Sequence, residues 1–519
     1  MPATLTRDEL LDRGMATAVH AAEAPERLAV VSPAGERTFA ALNGRANQLV
    51  RALRARGVGP GSTVALVCSN RPEFVEVYEA VLRGGMRLTP INWHLTAEEI
   101  TYIVDDSEAA ALVGDARFAE TLADAGRAIA RDDLVRLAVG GEIDGFASFD
   151  DALAAAPADD IGDPRPGTTM LYTSGTTGRP KGVRRPIAKP PALYRAYVRN
   201  PLFDGELHRS LCTGPLYHAA PLSISLTAPL AAGAGVVLMD GWDPEETLRL
   251  IEQYRITTTH LVPTMFHRLL ALPDEVKQRY DLSSLRLVVH GAAPCPVTVK
   301  QRMIEWLGPI VEEYYAATEG GGTYVRAKEW LERPGTVGRA GLGQEVRVRD
   351  EFGNDAPAGQ VGMVWLRRSA DEPFEYHRDP DKTRDVYDGE FFTLGDMGWM
   401  DEDGYLFLTG RTAELIISGG VNIYPAEIDA VLLEHPAVAD VACVGVPDDD
   451  WGETVKAVVQ LRAGHEPTDE LASALIEFTR ARLAHFKCPR SVDFVDELPR
   501  SETGKIYRRL VRERYTPQS

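Results

Sequence analysis

A loop rich in glycine and hydroxyl side chains, closed by one lysine, is the chemically most informative part of the chain. It runs Tyr-Thr-Ser-Gly-Thr-Thr-Gly-Arg-Pro-Lys-Gly-Val over residues 172–183. Because Gly175 and Gly178 lack a Cβ, backbone N–H groups beside them can approach an anion closely. Hydroxyl donors and a positive charge come from Thr173, Ser174, Thr176, Thr177 and Lys181. This composition predicts a loop that binds a polyphosphate.

The spacing of the loop differs from that of the ordinary P-loop. That motif places four residues between its glycines and continues with Gly-Lys-Ser/Thr. Here two residues separate Gly175 from Gly178, and Arg179-Pro180 precede the lysine. A surface turn of glycine, serine and threonine is the alternative interpretation. The apolar lead-in at residues 169–171 favours a phosphate loop that follows a strand.

Strand–helix–strand units are arranged along the chain on both sides of the loop. Apolar, strand-like runs at 64–68 and 86–91 enclose a helical segment at 72–83. Later units have predicted strands at 257–262, 285–289 and 310–315 and predicted helices at 245–254, from 263, and at 297–307. Such alternation predicts parallel sheets covered by helices, in which ligands bind at the carboxyl ends of strands. The loop and the segments after 289 and 315 all occupy such ends.

The alternation of predicted strands and helices ends at about residue 335. Shorter β-like segments and turns follow, at 350–353, 358–359, 388–389 and 401–404, which predict a β-rich subdomain. From Pro425 a compact pattern has predicted helices at 427–433 and 469–483 and predicted strands at 438–446 and 455–461. This last part predicts a small C-terminal domain.

A series of motifs resembles the signatures of the adenylate-forming superfamily, which includes acyl-CoA synthetases, peptide-synthetase adenylation domains and beetle luciferases. The matching segments are 172–183, 215–221, 290–294, 312–320, 392–396, 403–428 and 499–506. Their order agrees with the family, and the chain looks most like a fatty-acyl-CoA synthetase. The resemblance implies an α/β fold with two parts. Residues 1–410 would form a large N-terminal domain of helix-covered parallel sheets plus a small β-rich subdomain, and residues 411–519 a small mobile C-terminal α+β domain.

The resemblance also implies where ATP binds. Tyr315 would stack on adenine, and Asp396 would accept hydrogen bonds from both ribose hydroxyls, which suits a carboxylate with its several acceptor sites. Arg411 would support the ribose and phosphate. The 173–181 loop with Lys181 would hold the β- and γ-phosphates. The residues expected to line the adenine and acyl pockets are Gly291, Ala292 and Ala293.

Four further residues are expected near the reacting atoms. By resemblance, Thr318 would lie on the α-phosphate side and Glu319 would hold Mg²⁺, a cation that uses one or two carboxylates beside phosphate oxygens. Lys505 would be the lysine that contacts the α-phosphate and the attacking carboxylate. His218 would border the carboxylate and the thioester. These assignments predict acyl-adenylate formation from ATP and a carboxylic acid.

A hinge and a thiol-binding turn are implied just after Arg411. Relatives commonly carry aspartate or lysine at the hinge, whereas this chain has Ala413. Gly419 and Gly420 would form the tight turn along which the pantetheine arm of coenzyme A passes. The expected co-substrates are therefore ATP, with Mg²⁺, and coenzyme A.

Each motif also has an ordinary structural interpretation. A Thr-Glu pair such as 318–319 is common at a helix N-terminus, and a Gly-Asp pair marks a turn. Gly419-Gly420 fits a hairpin turn. A single histidine such as His218 is more often structural, and Lys505, close to four arginines, fits a solvated surface. The length and order of the matches favour the functional interpretations.

The substrate is predicted from the small, uncharged residues at the expected pocket. They leave room for a sizeable hydrophobic acid, and they are Ala219, Ala220, Ala292, Ala293, Gly320, Gly321 and Gly322. No aspartate is available near 215–222 to pair with an amino acid's ammonium group, which disfavours a peptide-synthetase domain. We expect a medium- or long-chain fatty acid or a bulky alicyclic acid. Loading of a separate carrier protein and ligation of an aryl or short-chain acid stay open alternatives.

Length, net charge and cysteine content restrict the classes of protein to which the chain can belong. At 519 residues the chain exceeds one core, so at least two domains are expected. A net charge of −20 disfavours a nucleic-acid binder. Five scattered cysteines indicate a reducing compartment without a zinc site. The charged N-terminal segment and the lack of long apolar runs predict a cytoplasmic protein without a membrane span. Peripheral membrane contact and a homodimer stay open alternatives.

Overall fold

The protein is described here by a computed structural model covering residues 6–173, 180–186, 208–341, 344–368, 373–418, 421–448, 450–500 and 506–515. Helices cover two large sheets whose strands are mainly parallel, and smaller antiparallel sheets follow along the chain. The α/β class and the helix-covered parallel sheets predicted from the sequence are confirmed. The strands and helices expected at 64–91 and 245–315 form within a few residues of the predicted bounds.

A six-stranded sheet has parallel pairing throughout. Its strands, in spatial order, are Ala147–Ser148, Val135–Val139, Ala109–Asp115, Thr63–Val67, Arg87–Pro90 and Thr168–Thr169. The central strand Thr63–Val67 is buried along its whole length, as expected for a sheet with both faces covered.

A nine-stranded sheet carries most of the strand ends expected at the site. Its order is Arg339–Ala340, Gly320–Val325, Val311–Ala317, Leu287–His290, Thr258–Leu261, Arg209–Cys212, Gly235–Leu238, Leu28–Ser32 and Gly35–Thr38. The six strands from Val311–Ala317 to Leu28–Ser32 are parallel, and the outer strands pair antiparallel. The carboxyl ends of the parallel strands therefore meet along one edge.

Two antiparallel sheets come next. A three-stranded sheet contains Glu375–Tyr376, Lys181–Arg184 and Leu171–Thr173, in that order. A six-stranded sheet contains Tyr387–Asp388, Phe391–Phe392, Gly362–Arg367, Asp396–Met400 and Leu406–Arg411, with Val346–Arg349 also paired to Gly362–Arg367. The smaller sheet joins segments that are about 200 residues apart in sequence.

The final sheet belongs to the C-terminal part. Its strands are Val421–Ile423, Ile416–Ser418, Gly452–Leu461 and Val438–Asp448, with Ser491–Val495 paired parallel to Gly452–Leu461. One 3₁₀ turn at Thr412–Glu414 connects it to the strand Leu406–Arg411 of the preceding sheet. Its core has its own apolar cluster, which includes Ile416, Ile428 and Val459.

The helices lie between these strands. The α-helices are Arg7–Asp12, Ala16–Glu23, Phe39–Arg54, Pro72–Gly84, Ala97–Asp106, Ala119–Ala128, Phe149–Ala154, Ala228–Ala231, Pro244–Tyr254, Pro263–Leu270, Asp274–Lys277, Val297–Leu307, Ala327–Glu332, Pro380–Val386, Pro425–Leu432, Asp469–Arg480 and Arg508–Glu513. A π-helical segment covers Pro221–Thr227, and 3₁₀ turns cover Ala116–Phe118, Thr412–Glu414 and His485–Lys487. Within the described residues, no helix has the length and apolar character needed to cross a bilayer.

Helix ends follow the sequence signals. Pro72 occupies the first turn of its helix, where its missing N–H costs nothing, and Gly85 ends the helix at φ 71°. At the start of Ala97–Asp106, Thr96 and Glu99 form a reciprocal capping box.

Candidate active site

Parallel strands of the nine-stranded sheet end where the sequence places its candidate residues. The strand Arg209–Cys212 leads towards His218, and Leu287–His290 leads directly into Gly291. Val311–Ala317 leads into Thr318 and Glu319. The expected clustering of these segments at the carboxyl ends of neighbouring strands agrees with the topology.

A carboxylate held by two donors lies between Tyr315 and Arg411. The Tyr315 hydroxyl donates to Asp396 Oδ2 at 2.7 Å, and Arg411 Nε donates to Asp396 Oδ1 at 2.7 Å. Asp396 and Arg411 face each other across one strand pair, so the backbone fixes their separation. Burial, followed by the Asp396 charge, raises the pKa of Tyr315. The phenol therefore stays protonated and acts as a donor to the carboxylate.

The expected phosphate loop is bounded by a strand pair. Thr173 lies directly opposite Lys181 in the antiparallel ladder. Ser174, Gly175, Thr176, Thr177 and Gly178 lie outside the described residues. The pair brings the two ends of the loop together and fixes the lysine at its base.

Lys181 has a carboxylate partner that no sequence motif indicates. Its ammonium group forms an ion pair with Asp379, the N-cap of the helix Pro380–Val386. The pairing of Val183 with Tyr376 in the three-stranded sheet brings that distant segment close. The Lys181 ammonium group is therefore already paired with a carboxylate at the base of the loop.

Thr318 and Glu319 form the short connection between two antiparallel strands. The strands Val311–Ala317 and Gly320–Val325 flank them. The alternative interpretation of the Thr-Glu pair as a helix N-terminus is therefore wrong. Arg185 Nη2 donates to the Thr318 carbonyl oxygen at 2.6 Å. The connection is thereby tied to the strand that begins at Lys181.

The carboxylate of Glu319 is oriented by a tyrosine. Tyr376 donates its hydroxyl proton to Glu319 Oε1 at 2.9 Å. Burial and then the Glu319 charge raise the pKa of Tyr376, which keeps this donor protonated. No group of three or more His, Cys, Asp or Glu side chains that could hold a metal occurs in the part of the chain described. A single carboxylate beside phosphate oxygens nevertheless suits Mg²⁺.

Replacing Tyr376 by phenylalanine should lower kcat/KM for ATP by about 10-fold, which corresponds to one hydrogen bond to a charged group at the low end of its range. The ring stays, but Glu319 loses the donor that orients it. Steady-state kinetics at varied ATP measures the effect. Tyr387→Phe is the matched control because its hydroxyl donates to the Phe374 carbonyl oxygen instead. Equal losses in both variants would contradict an orienting role for Tyr376.

Gly291 is needed by the protein's own packing. A Cβ at this position would lie 2.5 Å from the Tyr314 carbonyl oxygen and 2.7 Å from its ring. The neighbouring Ala292 has a left-handed backbone, with φ 66°. Tyr314 in turn lies beside His260, whose Nε2 is 3.1 Å from the Tyr314 hydroxyl oxygen. This packing makes the segment 291–293 a fixed turn at the strand end.

His218 is partly exposed as a residue, but its Nε2 atom is shielded from solvent and has no hydrogen-bond partner among the described residues. Burial lowers its pKa to about 4, so the imidazole is neutral at physiological pH. The preceding Tyr217 packs edge-on against Trp93, whose ring stacks on Phe118 at 5.1 Å. The neighbourhood of His218 is therefore aromatic.

Behind the strand ends lies a buried ion pair. Lys300, with no exposed surface, donates to Glu313 Oε2 at 2.6 Å, and His290 Nε2 is 3.5 Å from the same oxygen. Burial, then the charge of Lys300, lowers the pKa of His290 well below its usual value. His290 is therefore neutral, and it is the last residue of the strand that leads into the turn at 291–293.

The C-terminal candidates are described only by their neighbours, because Gly419, Gly420 and Lys505 lie outside the described residues. Ser418 and Val421 pair across the hairpin that contains the two glycines. Arg500 and Ile506 pair on either side of the segment that contains Lys505.

Four residues of this neighbourhood were missed by sequence reasoning: Arg185, Tyr376, Asp379 and Lys382. The Asp-Pro pair at 379–380 signals a helix start. Nothing local indicates that this helix start lies next to Lys181.

Comparison with known proteins identifies the class. The profile of the AMP-binding enzyme family matches residues 17–370, and that of its C-terminal domain matches residues 427–505. The chain belongs to the AMP-binding enzyme family. Within the adenylate-forming superfamily it is an AMP-forming ligase of the acyl-CoA synthetase class.

Relatives within this class are named for different acids. Indoleacetate–CoA ligase of Aromatoleum aromaticum is 34% identical over 95% of this chain and 96% of its own. Long-chain-fatty-acid–CoA ligase FadD13 of Mycobacterium tuberculosis is 31% identical over 95% and 96%. The solved structure of anthranilate CoA ligase AuaEII with anthranoyl-AMP has a TM-score of 0.85 at 28% identity and covers 96% of this chain and 97% of that one.

Proposed function

We propose that the protein activates a hydrophobic carboxylic acid with ATP and then transfers the acyl group to coenzyme A. A carboxylate oxygen of the acid attacks the α-phosphorus of ATP, and the bond from this phosphorus to the oxygen that bridges to the β-phosphate breaks. Pyrophosphate departs, and the product is an acyl adenylate. A thiolate then attacks the acyl carbonyl and expels AMP. The arrangement of Tyr315, Asp396 and Arg411 is the observation that supports this most strongly, because two donors hold a carboxylate in a fixed orientation at the expected ribose site.

The two ends of ATP are assigned to different elements. Tyr315, with Gly291, Ala292 and Ala293, would contact adenine, and Asp396 with Arg411 the ribose. The 173–178 loop and Lys181 would hold the β- and γ-phosphates. Because positioning and counter-charge supply most of the rate in phosphoryl-type reactions, these contacts carry the first half-reaction.

Glu319 and Thr318 would lie at the triphosphate. Glu319 accepts from Tyr376 on Oε1, which leaves Oε2 as the natural oxygen for a metal ligand. Mg²⁺ bound there would neutralise phosphate charge. Thr318, whose carbonyl oxygen is held by Arg185, would contact the α-phosphate side.

The acid would bind beside His218. Its ring is neutral, so it can border a carboxylate through a hydrogen bond but does not supply a counter-charge. The small residues Ala219 and Ala220 leave room next to it. These features suit a medium- or long-chain fatty acid or a bulky alicyclic acid.

An aryl acid is the second candidate. The specific observation in its favour is the aromatic group of Trp93, Phe118 and Tyr217 before His218, because aromatic rings pack well against one another. The names of the indoleacetate and anthranilate relatives agree with it.

The second half-reaction would use the C-terminal part, residues 411–519. Lys505 would contact the α-phosphate during adenylation, and rotation about the turn at Ala413 would then bring Gly419-Gly420 to the pantetheine arm. Such alternation between discrete poses is a hinge motion. Arg508 binds Glu414 at 3.2 Å and also Asp429, so both of its carboxylate partners lie on the C-terminal side of Ala413.

The test is an assay of AMP and acyl-CoA formation over acids of increasing chain length together with indoleacetate and anthranilate. We expect kcat/KM for fatty or alicyclic acids to exceed that for the aryl acids by at least about 10-fold. The burial of one to two additional methylene groups provides enough binding energy for such a difference. Higher values for the aryl acids would establish the second candidate. Pyrophosphate release without any CoA thioester would overturn CoA as the acceptor and point to a carrier protein.

A further inference from the structure

We propose that Lys382 is a second lysine of the triphosphate site, acting beside Lys181. The inference rests on the proposed function, since it assigns a further residue to the same ATP site. Lys382 lies in the first turn of the helix Pro380–Val386, outside every motif that pointed to the nucleotide.

One carboxylate ties the two lysines together. Asp379 Oδ1 accepts a hydrogen bond from the backbone N–H of Lys382 at 3.0 Å. Its other oxygen, Oδ2, accepts from the ammonium group of Lys181. The helix start is thereby fixed at the base of the phosphate loop.

The side chain of Lys382 points back into this site. Its ammonium group lies 4.7 Å from the centre of the Tyr376 ring. The same tyrosine donates its hydroxyl proton to Glu319, the residue expected to hold the metal. Lys382 is therefore half-buried, whereas Asp381 and Arg384 of the same helix are exposed.

The ammonium groups of Lys181 and Lys382 are close enough to repel each other, while Asp379 and Glu319 supply negative charge beside them. Lys181 and Lys382 are both paired with Asp379, one through its side chain and the other through its backbone. Burial, followed by the charge of Lys181, lowers the pKa of Lys382. A triphosphate placed between the two ammonium groups would replace mutual repulsion by two charge-assisted hydrogen bonds. Asp379 would then retain its role as the helix cap.

The alternative is that Lys382 only packs on Tyr376. A purely structural lysine would affect ATP, AMP and acid binding alike, or only stability. A phosphate ligand would affect ATP and pyrophosphate, because AMP lacks the β- and γ-phosphates. This difference separates the two roles.

The experiment compares Lys382→Gln with Arg384→Gln, a control on the same helix whose arginine pairs with the exposed Asp381. We expect Lys382→Gln to weaken ATP and pyrophosphate binding about 10-fold, the value of one charged hydrogen bond, with AMP binding unchanged. Calorimetric titration measures all three without turnover. Lys382→Arg should restore binding to within about 3-fold of the wild type, since it keeps the charge.

Unchanged ATP affinity in Lys382→Gln, or equal weakening of AMP, would overturn the proposal. If Lys382→Gln fails to fold, Lys382→Met keeps the apolar stem on Tyr376, and the same two results decide. Failure of the proposed function would be seen separately, as wild-type protein that binds ATP but forms no acyl-CoA from any acid tested.

Discussion

Replacing Asp396 by alanine is expected to lower kcat/KM for ATP by about 10³-fold. Both ribose hydroxyls would lose a charged acceptor, at roughly 1.5–3 kcal/mol for each hydrogen bond to a charged group. The loss also leaves Tyr315 and Arg411 without the acceptor that holds them. Pyrophosphate release at varied ATP measures this, and thermal unfolding reports whether the fold survives.

Asp388→Ala provides the control for Asp396. Asp388 lies in the same antiparallel sheet and pairs with Arg349, but it is exposed. Its loss should leave kcat/KM within about 2-fold of the wild type, as is usual for an exposed ion pair. A retained kcat/KM in Asp396→Ala would remove Asp396 from the ribose site.

Replacing Lys505 by alanine should lower the rate of acyl-adenylate formation by about 10³-fold, as for other preorganised donors aimed at developing charge. The second half-reaction should be unaffected, because Lys505 is assigned to adenylation only. Pre-formed acyl adenylate supplied with coenzyme A should therefore give thioester at close to the wild-type rate.

Measuring the two half-reactions separately distinguishes a role of Lys505 in adenylation from a general defect. Arg509→Ala serves as control, since its exposed side chain pairs only with Glu513 one turn away among the contacts seen. Equal losses in both half-reactions would show a general defect rather than a role in adenylation. Wild-type adenylation in Lys505→Ala would refute the assignment.

The positions of several candidate residues in the fold could be predicted because the signals for them are local. Strand patterns placed Gly291 and Thr318 at strand ends, and the parallel topology makes those ends neighbours. The contact between Asp396 and Arg411 follows from one hairpin. Periodicity and turn chemistry are sufficient for such features.

The partners of Lys181 could not be predicted, for a physical reason. Lys181 and Asp379 are 198 residues apart, and Glu319 and Tyr376 are 57 apart. Their contacts depend on pairing between Val183–Arg184 and Glu375–Tyr376, which no local pattern specifies. Likewise, no local pattern indicates that a Cβ at Gly291 would collide with Tyr314.

The pairing of Val183 with Tyr376 has a consequence for biosynthesis. A nascent chain that has emerged only to residue 370 contains every glycine and hydroxyl of the 172–183 loop. It lacks the strand that completes the three-stranded sheet, together with the Asp379 partner of Lys181. Because long-range strand pairs form only when both segments are present, the proposed ATP site should be completed late in synthesis, after the two large sheets.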